Sequence, residues 1–161
     1  MGAGAVRKEK ICFNPLGMKN PRFDKSIDIN LLAENLLREE ERPLSEKELI
    51  VPLVQAVLLS AHWQRAKAAE KSMVEVPFSH TVSAGKIPRV ISGTIDLVFK
   101  ERDGWVIVDY KSDKIDGNLE ALVNYYKPQV QMYRDFWKKI TGEKVKEAGL
   151  YFVDAGKWIV V

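Results

Sequence analysis

The sequence predicts an α/β domain in which helices come first, followed by three antiparallel strands, one helix and a closing pair of strands. Apolar residues recur with the spacing of amphipathic helices over residues 28–72. From residue 73 the spacing changes to the alternation of apolar and polar residues that is typical of strands. Asp103-Gly104 stands between two such runs, and this dipeptide is a strong signal for an antiparallel hairpin.

The composition is that of one globular domain that does not enter a membrane. The chain has 161 residues, of which 46% are hydrophobic and 29% charged, and its net charge is +3. No run approaches the ~18 apolar residues of a membrane span, and the first residues lack the apolar segment of a signal peptide. Cys12 is the only cysteine, so we expect no disulfide and no iron–sulfur cluster held by this chain. The sequence contains no phosphate-binding loop, and we expect no ATP site.

The spacing divides the chain into an arm and one domain. Residues 1–27 contain Asn-Pro pairs and are expected to form an irregular N-terminal arm. Residues 28–161 are expected to form a single domain, with a helical part at 28–72 and a second part at 73–161.

Two helices are predicted in the helical part. The first runs over Asp28–Glu40 and ends before Pro43. Ser45 and Glu48 have the spacing of a capping box, which predicts the start of the second helix. Pro52 fits poorly inside that helix, so we expect a kink or a restart there.

Three strands are predicted next. The first has the alternating apolar residues Val74, Val76 and Phe78, and it ends in a turn at Ser83–Lys86. The strands Arg89–Lys100 and Trp105–Lys111 follow, joined around Asp103-Gly104.

A helix and two strands complete the prediction. The helix runs over Pro128–Ile140, with proline at its start and Gly142 just past its end. Its apolar stripe toward the sheet consists of Val130, Tyr133, Trp137 and Ile140. The strands Glu147–Val153 and Lys157–Val161 close the chain.

Two carboxylates and a lysine meet on the central hairpin. Asp109 and Lys111 are two residues apart on one strand, so they point to the same face. If the loop is residues 103–104 alone, Asp96 on the preceding strand faces Lys111. If the loop is residues 101–104, Asp96 faces Asp109. Either register places all three on one face, with facing Cβ atoms roughly 4.5–5.5 Å apart.

This arrangement predicts a metal site. Facing carboxylates repel each other, and a divalent cation with a preference for oxygen ligands, Mg²⁺ or Mn²⁺, resolves that repulsion. A lysine beside it supplies a point charge for a phosphate or an attacking water. The opposite face of the hairpin is expected to be apolar, with Ile95, Leu97, Val106 and Val108. The alternative is an Asp–Lys pair on the solvated face of a half-exposed sheet.

Other polar residues are candidates for the same site. Glu75 alternates with apolar neighbours on the first strand and could add a third carboxylate, or be solvated. Gln129 and Tyr126 lie at the edge of the apolar stripe of the late helix, where Gln129 could bond a water or a ligand, or be a rim residue. His62 is expected to be a packed or rim residue rather than a ligand.

Three segments resemble successive motifs of the RecB-like nucleases, which belong to the PD-(D/E)xK, or restriction-endonuclease-like, superfamily. They are Gly93-Thr94-Ile95-Asp96-Leu97-Val98, Val108-Asp109-Tyr110-Lys111-Ser112-Asp113 and Tyr126-Lys127-Pro128-Gln129-Val130-Gln131-Met132-Tyr133. The resemblance covers about residues 73–161 and is closest to the C-terminal nuclease domain of AddA-type proteins, whose helicase is of the UvrD/Rep-like family. The aspartates with D-x-K are moderately specific, whereas the following Y-x-x-Q-x-x-x-Y helix makes the resemblance strong.

The resemblance implies a fold and a metal site. The fold is an αβββαβ core with a mixed sheet flanked by helices, here with extra N-terminal helices. Asp96 and Asp109 would ligate Mg²⁺ or Mn²⁺ together with the backbone carbonyl of Tyr110. Lys111 would orient the water or stabilise the charge that develops on the phosphate.

The resemblance also implies supporting residues. Gln129 and Tyr133 match the glutamine–tyrosine helix that supports the site in the family. Glu75, in Glu75-Val76-Pro77-Phe78, matches a strand that many members share.

The function implied is that of a metal-dependent DNA exonuclease in the bacterial cytoplasm. Its substrate would be single-stranded DNA or unwound duplex ends, and its partners a helicase region and an AddB-type protein, in recombinational repair of double-strand breaks. RecB-like members usually carry an upstream ligand histidine in a Gly-x-x-x-His setting, and neither His62 nor His80 has a glycine four residues before it. This departure leaves an alternative open, a catalytically inactive nuclease-like module that binds DNA or a partner.

Overall fold

The structure is a computed structural model that describes residues 28–84 and 87–161. The predicted arm at 1–27 lies outside the described residues, as do residues 85 and 86 of the predicted turn. Within the described ranges, no helix has the length and apolar character needed to cross a bilayer.

The described residues form four α-helices and a five-stranded sheet. The helices are α1 (Ile29–Glu39), α2 (Lys47–Leu59), α3 (Ala61–Ala68) and α4 (Leu119–Thr141). The strands are β1 (Lys71–Ala84), β2 (Ile87–Glu101), β3 (Gly104–Lys111), β4 (Val145–Phe152) and β5 (Lys157–Val160). The element order from α3 onward matches the αβββαβ core, with β5 added.

The sheet is mixed, and its spatial order follows the chain from β1 to β5. Neighbouring strands are antiparallel except β3 and β4, which are parallel. A parallel pair needs a crossover connection, and here α4 makes it. This arrangement places α4 over the sheet next to the carboxyl end of β3.

Two apolar cores lie on the two faces of the sheet. On one face, α2 and α3 pack Val57, Trp63 and Ala66 against residues of β2 and β3. On the other face, α4 packs Val130, Tyr133 and Trp137. Both faces of β3 are therefore covered, and every residue of this strand is buried.

The first helix of the helical part begins as predicted, whereas the second begins differently. Asp28 caps α1, since its Oδ1 accepts hydrogen bonds from the backbone N–H groups of Asn30 at 2.9 Å and Leu31 at 3.3 Å. The capping box is wrong: Ser45 lies in a 3₁₀ turn, Leu44–Glu46, and α2 begins only at Lys47. The chain enters α2 through this turn because the Glu46 N–H bonds the Pro43 carbonyl.

The predicted restart at Pro52 is also wrong, because α2 runs through it. The loss of one backbone hydrogen bond at Pro52 is offset by the burial of Val51, Val54 and Val57. The break occurs at Ser60, whose extended backbone ends α2 and whose Oγ caps α3.

The late helix was predicted nine residues too short at its start. Pro128 lies inside α4 rather than at its first position. The helix extends back to Leu119 because the preceding turns also bury apolar residues against the sheet, namely Leu119, Leu122, Val123 and Tyr126. The predicted end is confirmed, with Gly142 in the left-handed conformation at φ +69°. Ile140 is not part of the buried stripe, since it is 56% exposed.

The alternation of side chains breaks where β1 and β2 pass the candidate site. Val74 pairs with Leu97 and Val76 pairs with Ile95, so Glu75 lies opposite Asp96. Glu75 has φ +49°, which reverses the pleat. As a result, Val74 packs on the α2–α3 face but Val76 packs on the α4 face. The same break moves Ile95 to the α4 face, where the sequence placed it on the opposite one.

A cluster of charged residues, called here the ion cluster, lies at the start of β3. It consists of Arg65, Glu101, Asp103, Lys146 and Glu147. Arg65 bonds both oxygens of Glu101 at 2.9 Å and also bonds Glu147. Lys146 lies 2.5 Å from Glu101 and 2.6 Å from Asp103. These contacts tie α3, the β2–β3 hairpin and β4 together.

Candidate active site

The hairpin register is the second of the two predicted alternatives. Lys100 pairs with Trp105, and the ladder continues to Leu97 and Val108. Asp96 and Asp109 are the next residues on the two strands. The loop itself differs from the prediction, since Glu101 still pairs with Gly104 and only residues 102–103 form the turn.

Asp109 and Lys111 form a buried ion pair on the α4 face of β3. Asp109 is 0% exposed and the Lys111 side chain 3%. The Lys111 Nζ lies 2.5 Å from the Asp109 Oδ2 in an ion pair, whereas the Asp109 Oδ1 is buried and has no hydrogen-bond partner among the described residues. A buried carboxylate normally accepts several hydrogen bonds. Asp109 thus has buried lone pairs available for another ligand.

A chain of hydrogen bonds leads from Lys111 into α4. The Lys111 Nζ donates to the Gln129 Oε1 at 3.1 Å, and the Gln129 Nε2 donates to the Tyr133 hydroxyl at 2.5 Å. The Tyr133 hydroxyl donates to the Thr94 carbonyl at 3.1 Å. The chain joins β3, α4 and β2, so it fixes the lysine relative to both neighbouring elements.

The environment keeps Tyr133 protonated. Burial raises the pKa of Tyr133, and the negative charge of Asp109 raises it further, with a smaller contribution from Asp96. The neutral phenol is therefore the donor to Thr94. Its ring is held edge-on against Phe78, with centroids 5.3 Å apart. Gly93 allows this packing, because a Cβ there would lie 2.8 Å from the Phe78 ring.

Asp96 is joined to the site through the backbone. Its Oδ2 accepts a hydrogen bond from the Tyr110 N–H at 2.8 Å. The half-buried carboxylate of Asp96 therefore lies beside the main chain of the residue that follows Asp109. Burial, followed by the charge of Asp96, raises the pKa of the Tyr110 hydroxyl, and Tyr110 itself belongs to the core on the α2–α3 face.

Glu75 lies near this group but is not bonded into it. It faces Asp96 across the gap in the β1–β2 ladder, and its side chain is exposed. The structure thus brings Asp109, Lys111, Gln129 and Tyr133 into one network, joins Asp96 to it through Tyr110, and leaves Glu75 at the solvent side.

Sequence reasoning missed two members of this neighbourhood. The Thr94 carbonyl, which ends the hydrogen-bond chain, has no side-chain signal. Asp113 accepts a hydrogen bond from the Tyr126 hydroxyl at 2.9 Å. It lies two residues after Lys111 and four after Asp109, and this spacing is a signal that could have found it. His62 is a packed residue, as one of the two expectations had it: it is buried, the centroids of its ring and the Trp158 ring lie 4.2 Å apart, and burial lowers its pKa.

Comparison with known proteins identifies relatives of this chain. The family model described as "PD-(D/E)XK nuclease superfamily" matches residues 22–159. Relatives named as ATP-dependent helicase/nuclease subunits, of the A type, include those of Alkaliphilus oremlandii, 31% identical over 80% of this chain, and Carboxydothermus hydrogenoformans, 34% identical over 81%. The relative from Clostridium perfringens strain SM101 is 33% identical over 76% of this chain. The chain spans 11–12% of the length of these relatives.

Proposed function

The chain belongs to the PD-(D/E)XK nuclease superfamily, and from this premise we propose that it is a metal-dependent DNA nuclease domain. The observation that carries the proposal is the buried Asp109 carboxylate, whose Oδ2 pairs with the buried Lys111 and whose Oδ1 has no hydrogen-bond partner within residues 28–84 and 87–161. We further propose that residues 28–161 act as a single domain whose catalytic core is residues 73–161.

The donor set suits a small divalent cation. Asp96, Asp109 and the carbonyl of Tyr110 offer oxygen ligands, and the Asp109 Oδ1, which has no hydrogen-bond partner in the described part of the chain, is free to coordinate a cation. Over residues 28–84 and 87–161 no three acidic, histidine or cysteine side chains group as a metal site. Mg²⁺ is commonly bound through one or two carboxylates while it keeps waters and substrate phosphates, so two aspartates suit Mg²⁺ or Mn²⁺. When bound, such a cation polarises a phosphate and lowers the pKa of a coordinated water.

The side chains around the aspartates hold the substrate phosphate and the water. Lys111 presents an ammonium that is desolvated and directed by Asp109 and Gln129. This charge stabilises the phosphate oxygens as negative charge develops on them. Gln129 and Tyr133 keep the lysine in place, because each is fixed by the next hydrogen bond in the chain. Glu75 is proposed to act from the solvent side, on a water or on the cation.

The substrate is proposed to be DNA, contacted mainly at its phosphates. Such contacts do not read sequence and are sensitive to salt. Because the relatives are named helicase/nuclease subunits and are far longer than this chain, we propose that the domain degrades ends unwound by a helicase region. The same proposal includes an AddB-type partner protein, exonucleolytic cutting, recombinational repair of double-strand breaks and a place in the bacterial cytoplasm.

Degradation of end-labelled single-stranded DNA tests the proposal. The wild-type chain is compared in Mg²⁺, in Mn²⁺ and in EDTA with Asp109→Asn and Glu75→Gln. We expect metal-dependent cutting that Asp109→Asn reduces on the order of a thousandfold, the scale of losing one preorganised electrostatic group. Glu75→Gln is expected to cost less, since Glu75 is exposed.

The matched control is Asp103→Asn, which makes the same chemical change at the other end of the hairpin. Asp103 is held by Lys146, away from the proposed site, so its variant is expected to cut like wild type. Equal cutting by Asp109→Asn and Asp103→Asn would contradict the assignment of Asp109. DNA binding without cutting, and without an increase of Tm in Mg²⁺, would identify an inactive DNA-binding module instead.

A further inference from the structure

Tyr126 contacts the lysine of the proposed site from the side opposite the sheet. The Lys111 Nζ lies 4.0 Å from the centroid of its ring. Tyr126 is half-buried on α4, three residues before Gln129, so both side chains lie on the same side of the helix. Its hydroxyl donates a hydrogen bond to the Asp113 Oδ2 at 2.9 Å.

The Lys111 ammonium needs more than its two oxygen neighbours to be held in one place. It carries three donor protons on a flexible four-carbon stem. Asp109 and Gln129 provide two oxygens, and the Tyr126 ring is a third neighbour that covers the cation. A cation within about 6 Å of a ring centroid is attracted to the aromatic face, more strongly where water is excluded. Because Lys111 is nearly fully buried, little water competes with the ring for the ammonium.

The hydroxyl contact controls where the ring lies. Asp113 is in the segment between β3 and α4, two residues beyond Lys111. Its hydrogen bond therefore ties the ring to the chain that carries the lysine. Burial, followed by the hydrogen bond to Asp113, raises the pKa of Tyr126 to about 12. The phenol consequently stays a neutral donor at working pH and is not a proton carrier.

We propose that Tyr126 is a positioning residue that holds the Lys111 ammonium against Asp109 and Gln129, and that Asp113 anchors its ring. The role of this positioning in catalysis rests on the proposed nuclease function, whereas the contact between Tyr126 and Lys111 is independent of it. A displacement of a reacting group by about 1 Å costs on the order of a hundredfold in rate, so the ring is expected to matter for turnover rather than for DNA binding.

The first test measures the contact without any cleavage, by thermal unfolding in EDTA. Tyr126→Leu is made in the wild-type chain and in an Asp109→Asn, Lys111→Met background that lacks both charges. We expect Tyr126→Leu to lower Tm by about 2–4 °C more in the wild-type chain, the shift of one such contact in a chain of this size. Tyr126→Phe keeps the ring but loses the hydrogen bond to Asp113, so it is expected to lower Tm by only part of this amount in the wild-type chain.

The control is Tyr125→Leu, one residue away. Tyr125 is exposed, and the centroid of its ring lies 4.9 Å from that of Tyr126. Tyr125→Leu should therefore lower Tm by the same amount in both backgrounds. Equal losses for Tyr126→Leu in the two backgrounds would overturn the proposal. If Tyr126→Leu does not fold, Tyr126→Phe and Asp113→Leu replace it, since each removes the hydrogen bond that anchors the ring. Their losses of Tm are then compared between the same two backgrounds.

The second test measures steady-state cleavage of single-stranded DNA. We expect Tyr126→Leu to lower kcat about 10- to 100-fold with little change in KM. Tyr126→Phe keeps the ring without its hydrogen bond to Asp113 and is expected to restore part of kcat. A general loss of packing would lower the folded fraction of the protein without this rescue by the ring alone. If the wild-type chain shows no metal-dependent cutting, the proposed function fails. The thermal comparison alone then tests whether the Tyr126 ring holds Lys111.

Discussion

Each end of β3 has a group of oppositely charged side chains, and the two groups differ in burial and in hydrogen bonding. At the start of the strand, the ion cluster is partly exposed, with Arg65 at 31% and Glu101 at 23%. At the end, Asp109 and Lys111 are almost fully buried. In the ion cluster, the Arg65 guanidinium bonds both oxygens of Glu101. At the other end, Lys111 pairs with the Asp109 Oδ2, and the Asp109 Oδ1 has no hydrogen-bond partner in the part of the chain that the structure describes.

This difference fits the proposal that the ion cluster stabilises the fold whereas Asp109 and Lys111 bind a ligand. Mutual pairing raises the pKa of Arg65 and lowers the pKa of Glu101 to about 2, mainly through their hydrogen bonds to each other. A buried pair with incomplete hydrogen bonding contributes little or nothing, because desolvation offsets the attraction. Selection for stability alone explains the ion cluster, and it does not explain Asp109 and Lys111.

The largest effect is expected from replacing the buried pair by apolar residues. Asp109→Leu with Lys111→Met should abolish cutting and leave the fold as stable as wild type or more stable, by up to about 4 kcal/mol. The measurement is urea unfolding together with the DNA cleavage assay. Lys111→Met alone is the control, and should destabilise by about 3–5 kcal/mol because it leaves a buried carboxylate uncompensated. Equal destabilisation by the single and double variants would contradict the conclusion that the buried pair contributes little to stability.

A smaller effect is expected in the ion cluster. Arg65→Ala should destabilise by about 1–2 kcal/mol, because two half-buried carboxylates lose their partner. Cutting per folded molecule should not change. Arg42→Ala is the matched control: Arg42 pairs with Glu46 on the surface of the protein, and its loss should cost less than ~0.5 kcal/mol. Reduced activity of folded Arg65→Ala would show that the two ends of β3 are coupled.

The smallest effect is a pH dependence of stability that belongs to the ion cluster. The pKa of Glu101 is lowered in the folded state from its usual 4.5 to about 2. Glu101 therefore stabilises the fold above pH 4.5, and this contribution is lost as the pH falls from 4.5 toward 2. The difference in unfolding free energy between wild type and Glu101→Gln should be constant above pH 5 and shrink toward pH 2. A difference that does not depend on pH would show that packing, rather than charge, makes the contribution.

Local sequence signals predicted most elements because each reflects a short-range cause. Asp28 caps a helix, Gly142 ends one, and Asp109 and Lys111 share a face because side chains alternate along a strand. The predictions failed where burial outweighed a local preference. Pro52 and Pro128 lie inside helices because apolar residues on both sides of each proline are buried or partly buried.

Local sequence signals could not predict the parts of the candidate site that depend on how neighbouring strands pair. The sequence allowed two registers for Asp96, and the choice depended on whether Lys100 or Arg102 pairs with Trp105. The reversal of the pleat at Glu75 moved Ile95 to the other face. No local pattern marks this reversal, because it is a property of two strands together.

The sequence by itself determined the class of fold, the family and the identity of the residues that meet on the hairpin. It did so because strand alternation, helical spacing and the order of three short motifs are all local in the chain. Only the tertiary structure decided which of those charges are satisfied. The pairing of Arg65 with Glu101 and the ring of Tyr126 over Lys111 join different elements of the fold, and such contacts exist only once the sheet and its helices have packed. The same packing buries the Asp109 Oδ1 without a hydrogen-bond partner among the described residues.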